Sequence, residues 1–127
     1  MTPEVPAVLA ELAAVVARNA APGVPEPERA SELGLTAMLL GLAAEVWDGA
    51  AARLVEENRA LRALLSDTGA DEDLRLSKLK AGNDRLRGKL IEAQIAAEQA
   101  GDQARQEAIW AELRASTERR KISVSLV

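Results

Sequence analysis

The stretch LVEENRALRALLSDTGADEDLRLSKLKAGNDRLRGKL, residues 54–90, contains one pattern twice. Its first block is Leu54, Asn58, Leu61 and Leu65, and the same residue types return 25 positions later as Leu79, Asn83, Leu86 and Leu90. Spacings of three and four residues place each block on one face of a helix. A polar residue in such a seam fixes the register of two packed helices at some cost in stability. We therefore predict that two helices pack along these seams and that Asn58 and Asn83 set their register.

The segment SDTGAD, residues 66–71, separates the two blocks and has the composition of a tight turn. Gly69 suits the end of one helix, and Asp71 suits the N-cap of the next. Because a short connection joins antiparallel neighbours, we predict an antiparallel hairpin. In that arrangement Asn58 and Asn83, each about twelve residues from the turn, meet in the core and bond to one another. Replacing both by leucine is then expected to raise stability.

The first seam continues upstream without a break. Between residues 33 and 65 its members alternate at spacings of four and three, which predicts one long helix over about 27–65. A second apolar stripe on the opposite face of its first half consists of Leu35, Leu39, Leu42 and Val46. Because a helix that is apolar on both faces needs cover on both, we expect residues 33–46 inside a bundle of three or more helices and residues 50–65 in a two-helix arm. The candidate interface or core seam comprises Leu33, Leu40, Trp47, Leu54, Leu61, Leu79, Leu86 and Leu90.

Proline residues set the limits of the first helix. Thr2 and Pro3 predict the start of helix 1, over about 3–19. Three prolines then fall within six positions, so we expect residues 20–27 to form a linker that no helix can cross. Because this linker is short and stiff, helix 1 is expected to fold back onto the rest of the chain.

The second half of the chain is expected to form two further helices. Helix 3 is predicted over about 71–100, and the apolar phase fails at Gly101 and Asp102. This favours a turn there and a helix 4 over about 102–120, with one continuous helix containing a stutter as the alternative. With a C-terminal tail over 121–127, the prediction is an all-α helical bundle of about four helices, built on a long antiparallel coiled-coil-like hairpin.

The composition fits this helical prediction and removes several kinds of chemistry. Ala fills 26 positions and Leu 18, both residues favour helix, and the length suits a single helical domain, 1–127. The chain contains no His and no Cys, which excludes a histidine- or cysteine-bound zinc, a thiol nucleophile and a histidine general base. We predict no catalytic residues, no metal site and no cofactor, and we do not expect an enzyme.

The charge distribution bears on nucleic-acid binding. Between residues 75 and 89 six basic side chains accompany a single acid. The whole chain nevertheless has a net charge of −4 and only two aromatic residues, both Trp. Glu56 and Glu57 are also placed to face Arg85 and Arg87 across the hairpin. We therefore do not expect a nucleic-acid site.

The most apolar run of the chain covers residues 33–47 and is 15 residues long. That is shorter than the roughly 20 residues that a helix needs to cross a bilayer, and Glu45 interrupts it. The N-terminal residues lack the basic flank of a signal peptide. We expect no membrane span and a cytoplasmic location.

Helical seams without chemistry point to a protein that works by contact. Two-helix arms bury little surface alone, so we predict protein–protein contact and, first, self-association as a homodimer or larger homo-oligomer. One alternative is a helical export chaperone or accessory subunit with an unidentified protein partner. The other is an apolar small ligand held in the bundle core between Met38, Leu42, Val46 and Trp110.

Overall fold

The computed structural model describes residues 4–20, 22–24 and 26–122. In this part of the chain it contains four α-helices and no strand. They are α1 (Val5–Val15, continued by a π-helical turn, Val16–Ala20), α2 (Pro27–Leu65), α3 (Leu76–Ala100) and α4 (Gln103–Arg119). The all-α class and the bundle of about four helices are therefore confirmed. The predicted helix start at Thr2 and Pro3 and residues 123–127 of the predicted tail lie outside the described residues.

The chain divides into two compact units between Gly49 and Ala50. The first, which we call the N-terminal unit, contains α1 and residues 27–49 of α2, together with Ile122. The second, the C-terminal unit, is Ala50–Lys121 and contains the rest of α2 with α3 and α4. The organisation of the whole chain as a single domain stays a prediction.

The turn between α3 and α4 is where the sequence places it. Gly101 closes α3 with a φ of 65°, in the left-handed region that glycine adopts without strain. The Asp102 side chain then accepts a hydrogen bond from the Arg105 backbone N–H at 3.0 Å and caps α4. The prediction of a separate helix 4 is confirmed, and the alternative of one continuous helix is wrong.

The connection between α2 and α3 differs from the predicted turn. α2 closes on Ser66, whose φ is 54°, rather than on Gly69. α3 begins at Leu76, so the prediction that Asp71 caps this helix is wrong. Acidic residues after Gly69 are typical of a first helical turn, but Asp71 instead bonds to side chains of α2.

The helices α2 and α3 run parallel. Contact partners advance together along the chain. Asn58 bonds to Asn83, Leu61 lies in one core cluster with Leu86 and Leu90, and Asp67, just after α2, pairs with Lys89. Matching positions of the 25-residue repeat therefore lie opposite one another. The prediction that these two helices form an antiparallel hairpin is wrong.

The length of the connection explains the parallel direction. Ten residues separate Leu65 from Leu76. Asp71 and Leu74 of this connection line one groove with Val55 and Arg62, so the connection runs back along α2. Ten extended residues can span about 33 Å, whereas the 14 helical residues from Leu65 back to position 51, which lies opposite Leu76, rise only about 21 Å. The connection is therefore long enough to restart α3 beside an earlier part of α2.

The antiparallel hairpin of this fold is the one between α3 and α4. Near the turn, the Gln106 side chain donates to the Ala97 carbonyl oxygen at 3.3 Å. Ten residues further along α4, Ser116 accepts a hydrogen bond from Arg87 at 2.8 Å. The residue number rises along α4 while the number of its partner falls along α3. The two helices are therefore antiparallel.

Nearly all buried side chains that the structure describes belong to the C-terminal unit. Its hydrophobic core consists of Leu61, Leu86, Leu90 and Ile109, with Leu64, Leu65, Ala93 and Leu113 packed around it. In the described part of the N-terminal unit, Ala44 is the one buried residue. The expectation that residues 33–46 lie inside a bundle is wrong for this chain, because Ala44 alone is buried among them. The expectation that residues 50–65 project as an arm is also wrong, because α3 and α4 pack on them.

Candidate functional site

A continuous series of hydrogen-bonded side chains crosses the core of the C-terminal unit. We call it the polar chain, and its members are Arg62, Asp71, Asn58, Asn83, Glu57, Arg87, Ser116 and Arg120. At its centre the Asn83 Nδ2 donates to the Asn58 Oδ1 at 3.0 Å, and both side chains are buried. The structure thus brings the two predicted register residues together, in parallel rather than antiparallel helices.

The Glu57 carboxylate accepts more hydrogen bonds than its neighbours in the polar chain. Although Glu57 is only 2% exposed, it accepts from the Arg87 Nη2 and the Arg120 Nη2, each at 2.7 Å. It also accepts from the Asn83 Nδ2 at 3.1 Å and the Ser116 Oγ at 3.2 Å. Because these donors lie on α3, on α4 and directly after α4, one carboxylate of α2 ties three helices together.

The charge state of Glu57 follows from these contacts. Burial alone would raise the pKa of Glu57, but hydrogen bonds from Arg120, Arg87 and Asn83 outweigh burial and lower the pKa from 4.5 to about 2. A carboxylate that holds its charge far below neutral pH is a poor proton donor at neutral pH. The geometry therefore supports a structural role for Glu57 as a clamp, by which we mean that its carboxylate holds α2, α3 and α4 together.

The other end of the polar chain anchors the connection between α2 and α3. Asp71 accepts from the Arg62 Nη2 at 2.7 Å and from the Asn58 Nδ2 at 3.2 Å, and the hydrogen bond from Arg62 lowers the pKa of Asp71. Asn58 also donates to the Leu79 carbonyl oxygen at 3.2 Å. Asp71 thus holds the returning connection on α2. Sequence reasoning missed this role because it assigned Asp71 to a helix cap.

Two further members of the polar chain, Ser116 and Arg120, carry no sequence signal of their own. Arg120 stands 63 positions from Glu57, and its contact depends on the direction in which α4 returns. The contact of Glu57 with Arg87 was predicted from charge, and the structure contains it. In the described part of the chain no ion pair joins Glu56 to Arg85.

The residues of the predicted seam divide between the two units. In the C-terminal unit Leu54 is half-buried, and the buried members are Leu61, Leu79, Leu86 and Leu90. In the N-terminal unit Leu33 and Leu40 are half-buried. Trp47 is 56% exposed, so it is not a core residue, and its place in an interface stays a prediction.

The N-terminal unit leaves much of its apolar surface exposed. Among the described residues, nine of the fifteen exposed large apolar side chains lie between Val5 and Trp47. On α2 we define the outer stripe as Leu35, Met38 and Leu39, which are exposed, and Leu42, which is half-buried. On α1 the exposed apolar residues form the α1 stripe, Val5, Val8, Leu12 and Val15. Apolar surface concentrated in this way marks interaction sites in soluble proteins.

Within the N-terminal unit, α1 lies along α2. Ala7 and Ala10 of α1 line one open groove together with Ala44 and Trp47 of α2. This shared groove is consistent with the prediction that helix 1 folds back, which stays a prediction. The small alanine side chains leave the groove shallow and supply few apolar contacts, which explains why so little of this unit is buried.

Most of the basic residues between positions 75 and 89 contact carboxylates. The ion pairs join Arg75 to Asp73, Lys80 to Asp84, Arg87 to Glu57 and Lys89 to Asp67. Nucleic-acid binding depends on cations that are free to neutralise phosphates. These pairs reduce the cationic character of the segment.

Two features of the residues that the structure describes bear on metal and membrane binding. No group of three or more His, Cys, Asp or Glu side chains there is arranged to hold a metal ion. One helix, Arg29–Leu65, is long and apolar enough to span a membrane by length and composition. Core helices and signal sequences also meet that criterion, so it does not by itself assign a span.

The chain was compared with models of protein families, with curated proteins and with solved structures, and none of them matches it.

Proposed function

We propose that the protein acts through protein–protein contact and that its first partner is a second copy of itself. The observation that carries this proposal is the exposed apolar surface of the N-terminal unit, where Leu35 and Leu39 are 52% and 53% exposed. Fully burying a leucine side chain stabilises a protein by about 1.5–3 kcal/mol. A helix that covered these residues would gain part of that free energy at each of them.

The two units support a division of roles in this proposal. The polar chain and the core make the C-terminal unit a folded base in a single chain. The N-terminal unit has no comparable core among its described residues, and it offers side chains that can be buried only by something added. We assign the contact to the N-terminal unit.

The alternative functions differ in what would cover the apolar surface of the N-terminal unit. A partner of different sequence, as for an export chaperone or an accessory subunit, fits the same surface and is one outcome of the experiment below. The hypothesis of an apolar ligand in a bundle core has no observation in its favour, since Met38 and Trp110 are exposed.

Sedimentation velocity of the full chain, from low to high micromolar concentration, tests the proposal. We expect the mass to rise from 13.5 kDa toward twice that value or more as the concentration increases. A mass of 13.5 kDa at every concentration would contradict self-association and would leave a partner of different sequence as the occupant.

A further inference from the structure

A groove on the C-terminal unit combines arginine with aliphatic side chains. One wall is a single face of α2, formed by Val55, Arg59 and Arg62 at spacings of four and three residues. The returning connection forms another wall and contributes Ala70 and Leu74. The groove has a volume of about 440 Å³, within the range of about 300–1,000 Å³ for small-molecule sites. It therefore has room for a small ligand or for the end of a peptide.

Arg59 brings to this groove a positive charge that the protein does not pair. Its side chain is exposed, and in the part of the chain that the structure describes no ion pair or side-chain hydrogen bond includes its guanidinium. A planar guanidinium with free N–H groups matches the two oxygens of a carboxylate. Arg59 is therefore available to an anionic ligand.

Arg62 adds a second guanidinium, deeper in the groove. Its side chain is 9% exposed, its Nη2 donates to the Asp71 Oδ1 at 2.7 Å, and its buried Nε has no acceptor among the described residues. This Nε lies beside Gly69, which also lines the groove, because a Cβ on Gly69 would stand 3.6 Å from it. Native proteins leave few buried donors unsatisfied, so this N–H points to an acceptor supplied from outside the chain.

The charges that line the groove favour a ligand with a single negative charge. Arg59 and Arg62 carry two positive charges, and Asp71, whose pKa is lowered by its hydrogen bond from Arg62, carries one negative charge. Asp67 also lies near Arg62, but Lys89 pairs with it at 2.6 Å. A monoanion balances the remaining positive charge, whereas a phosphate dianion exceeds it and is repelled by Asp71.

We infer that this groove binds an aliphatic carboxylate, whose charged end pairs with Arg59 and whose apolar chain lies against Val55 and Leu74. Leu74 is 63% exposed, so an apolar ligand would cover surface that the chain leaves in water. Two sources carry this chemistry: a free short-chain carboxylic acid, and the C-terminal carboxylate of a peptide that ends in an aliphatic residue. The inference goes beyond the proposed function, because the groove belongs to the C-terminal unit and does not depend on self-association.

Titration of the isotope-labelled full chain with hexanoate at neutral pH, followed by NMR, tests the charged end of the ligand. We expect saturable shifts of the Arg59 and Arg62 Nε–H signals and of the Gly69 amide. The test variant is Arg59→Gln, and the matched control is Arg114→Gln on α4, another exposed arginine without an ion pair among the described residues. The dissociation constant should rise about tenfold or more in Arg59→Gln and change less than about twofold in Arg114→Gln. Circular dichroism should be unchanged in both, because both side chains are exposed.

Ligands of different length test the apolar end. Each buried methylene group strengthens binding up to about fourfold, so hexanoate should bind about tenfold or more tightly than acetate. Leu74→Ser should reduce this difference, and Ile91→Ser, at a side chain of α3 that is 61% exposed, should not. Inorganic phosphate that binds as tightly as hexanoate would overturn the assignment to an aliphatic carboxylate.

An acetylated tripeptide that ends in leucine distinguishes the two sources. If the groove takes peptide ends, the peptide with a free carboxylate should bind more tightly than hexanoate, and the same peptide as a C-terminal amide should not bind. If the groove takes free acids, hexanoate should bind more tightly than either peptide. No saturable shift with either acid, or equal weakening in Arg59→Gln and Arg114→Gln, would overturn the inference and leave the proposed function standing.

Discussion

The two halves of α2 belong to different units and differ in what surrounds them. Residues 50–65 pack with α3 and α4 and contribute the buried side chains Leu61, Asn58 and Glu57. Residues 27–49 are more apolar, yet among the described ones Ala44 alone is buried. Burial therefore does not follow hydropathy along this helix.

The difference shows what decides burial in a helix of this kind. The apolar half has one short helix, α1, beside it within its unit, and the groove between them is lined by alanine. The less apolar half has two long helices that supply leucine, isoleucine and the partners of Glu57. A seam becomes a core where neighbouring helices supply large side chains and satisfy the polar groups between them.

Removing the Glu57 carboxylate should destabilise the C-terminal unit more than any of the other substitutions, because Glu57 bonds to side chains on or next to both of the helices that pack on α2. We expect Glu57→Gln to lower the free energy of unfolding by about 3 kcal/mol, at the lower end for a broken buried ion pair, since Arg87 and Arg120 can reach water. Urea denaturation measures the loss. The exposed neighbour gives the control: Glu56→Gln should change stability by less than about 0.5 kcal/mol.

Acid should weaken the C-terminal unit through the same carboxylate. The pKa of Glu57 falls from 4.5 to about 2 on folding, so its contribution is complete above pH 4.5 and is lost as the pH falls toward 2. The loss is at most about 3 kcal/mol in the wild type. Urea titrations between these pH values should give a steeper decline for wild type than for Glu57→Gln. Parallel declines would contradict the clamp.

The asparagine pair gives the next effect, and the structure reverses the sign expected from the sequence. Leucine at positions 58 and 83 would bury apolar surface, but it would also remove donors from Asp71, Glu57 and the Leu79 carbonyl. Asp71 and Glu57 keep their arginine donors, but each lost hydrogen bond to a charged group costs about 1.5–3 kcal/mol. We expect N58L/N83L to destabilise the protein by about 1–2 kcal/mol and the two single changes to be non-additive. Chemical denaturation of the three variants decides it, and a stabilised double variant would contradict the polar chain.

Two glycines give the smallest effects, one in each unit. Gly41 has open space around its missing side chain, so Gly41→Ala should stabilise the N-terminal unit by about 0.5–1 kcal/mol through helix propensity. Gly101 has a φ of 65°, so Gly101→Ala should cost about 1 kcal/mol. Thermal unfolding checks both, and shifts of the same sign would contradict the assigned conformations.

The sequence predicted the helices well because its heptad spacing and its breakers are local signals. The leucine spacing predicted the full length of α2. The break in the apolar spacing at Gly101 predicted the boundary between α3 and α4. The start of α3 was missed because the acidic residues Asp71–Asp73 suit a helix N-terminus by sequence, whereas Arg62 and Asn58 hold Asp71 on α2.

The sequence contains a pattern that indicates the parallel direction of α2 and α3, but the assumption of a short turn led to an antiparallel prediction. A 25-residue repeat with identical residue types places asparagine opposite asparagine at one level when the helices run parallel. Glu57 and Arg87 also stand at the flanking positions that pair between parallel heptad helices. The contact with Arg120, 63 positions away, depends on the path of three helices, and no local pattern encodes it.

Amide hydrogen exchange of the full chain at low and high protein concentration tests most directly the claim that the C-terminal unit is complete in one chain and that the N-terminal unit is completed by a second. Peptides covering residues 79–90 should be equally protected at both concentrations. Peptides covering residues 33–46 should exchange rapidly in dilute protein and at least about tenfold more slowly in concentrated protein. Exchange over 33–46 that does not depend on concentration would contradict the account.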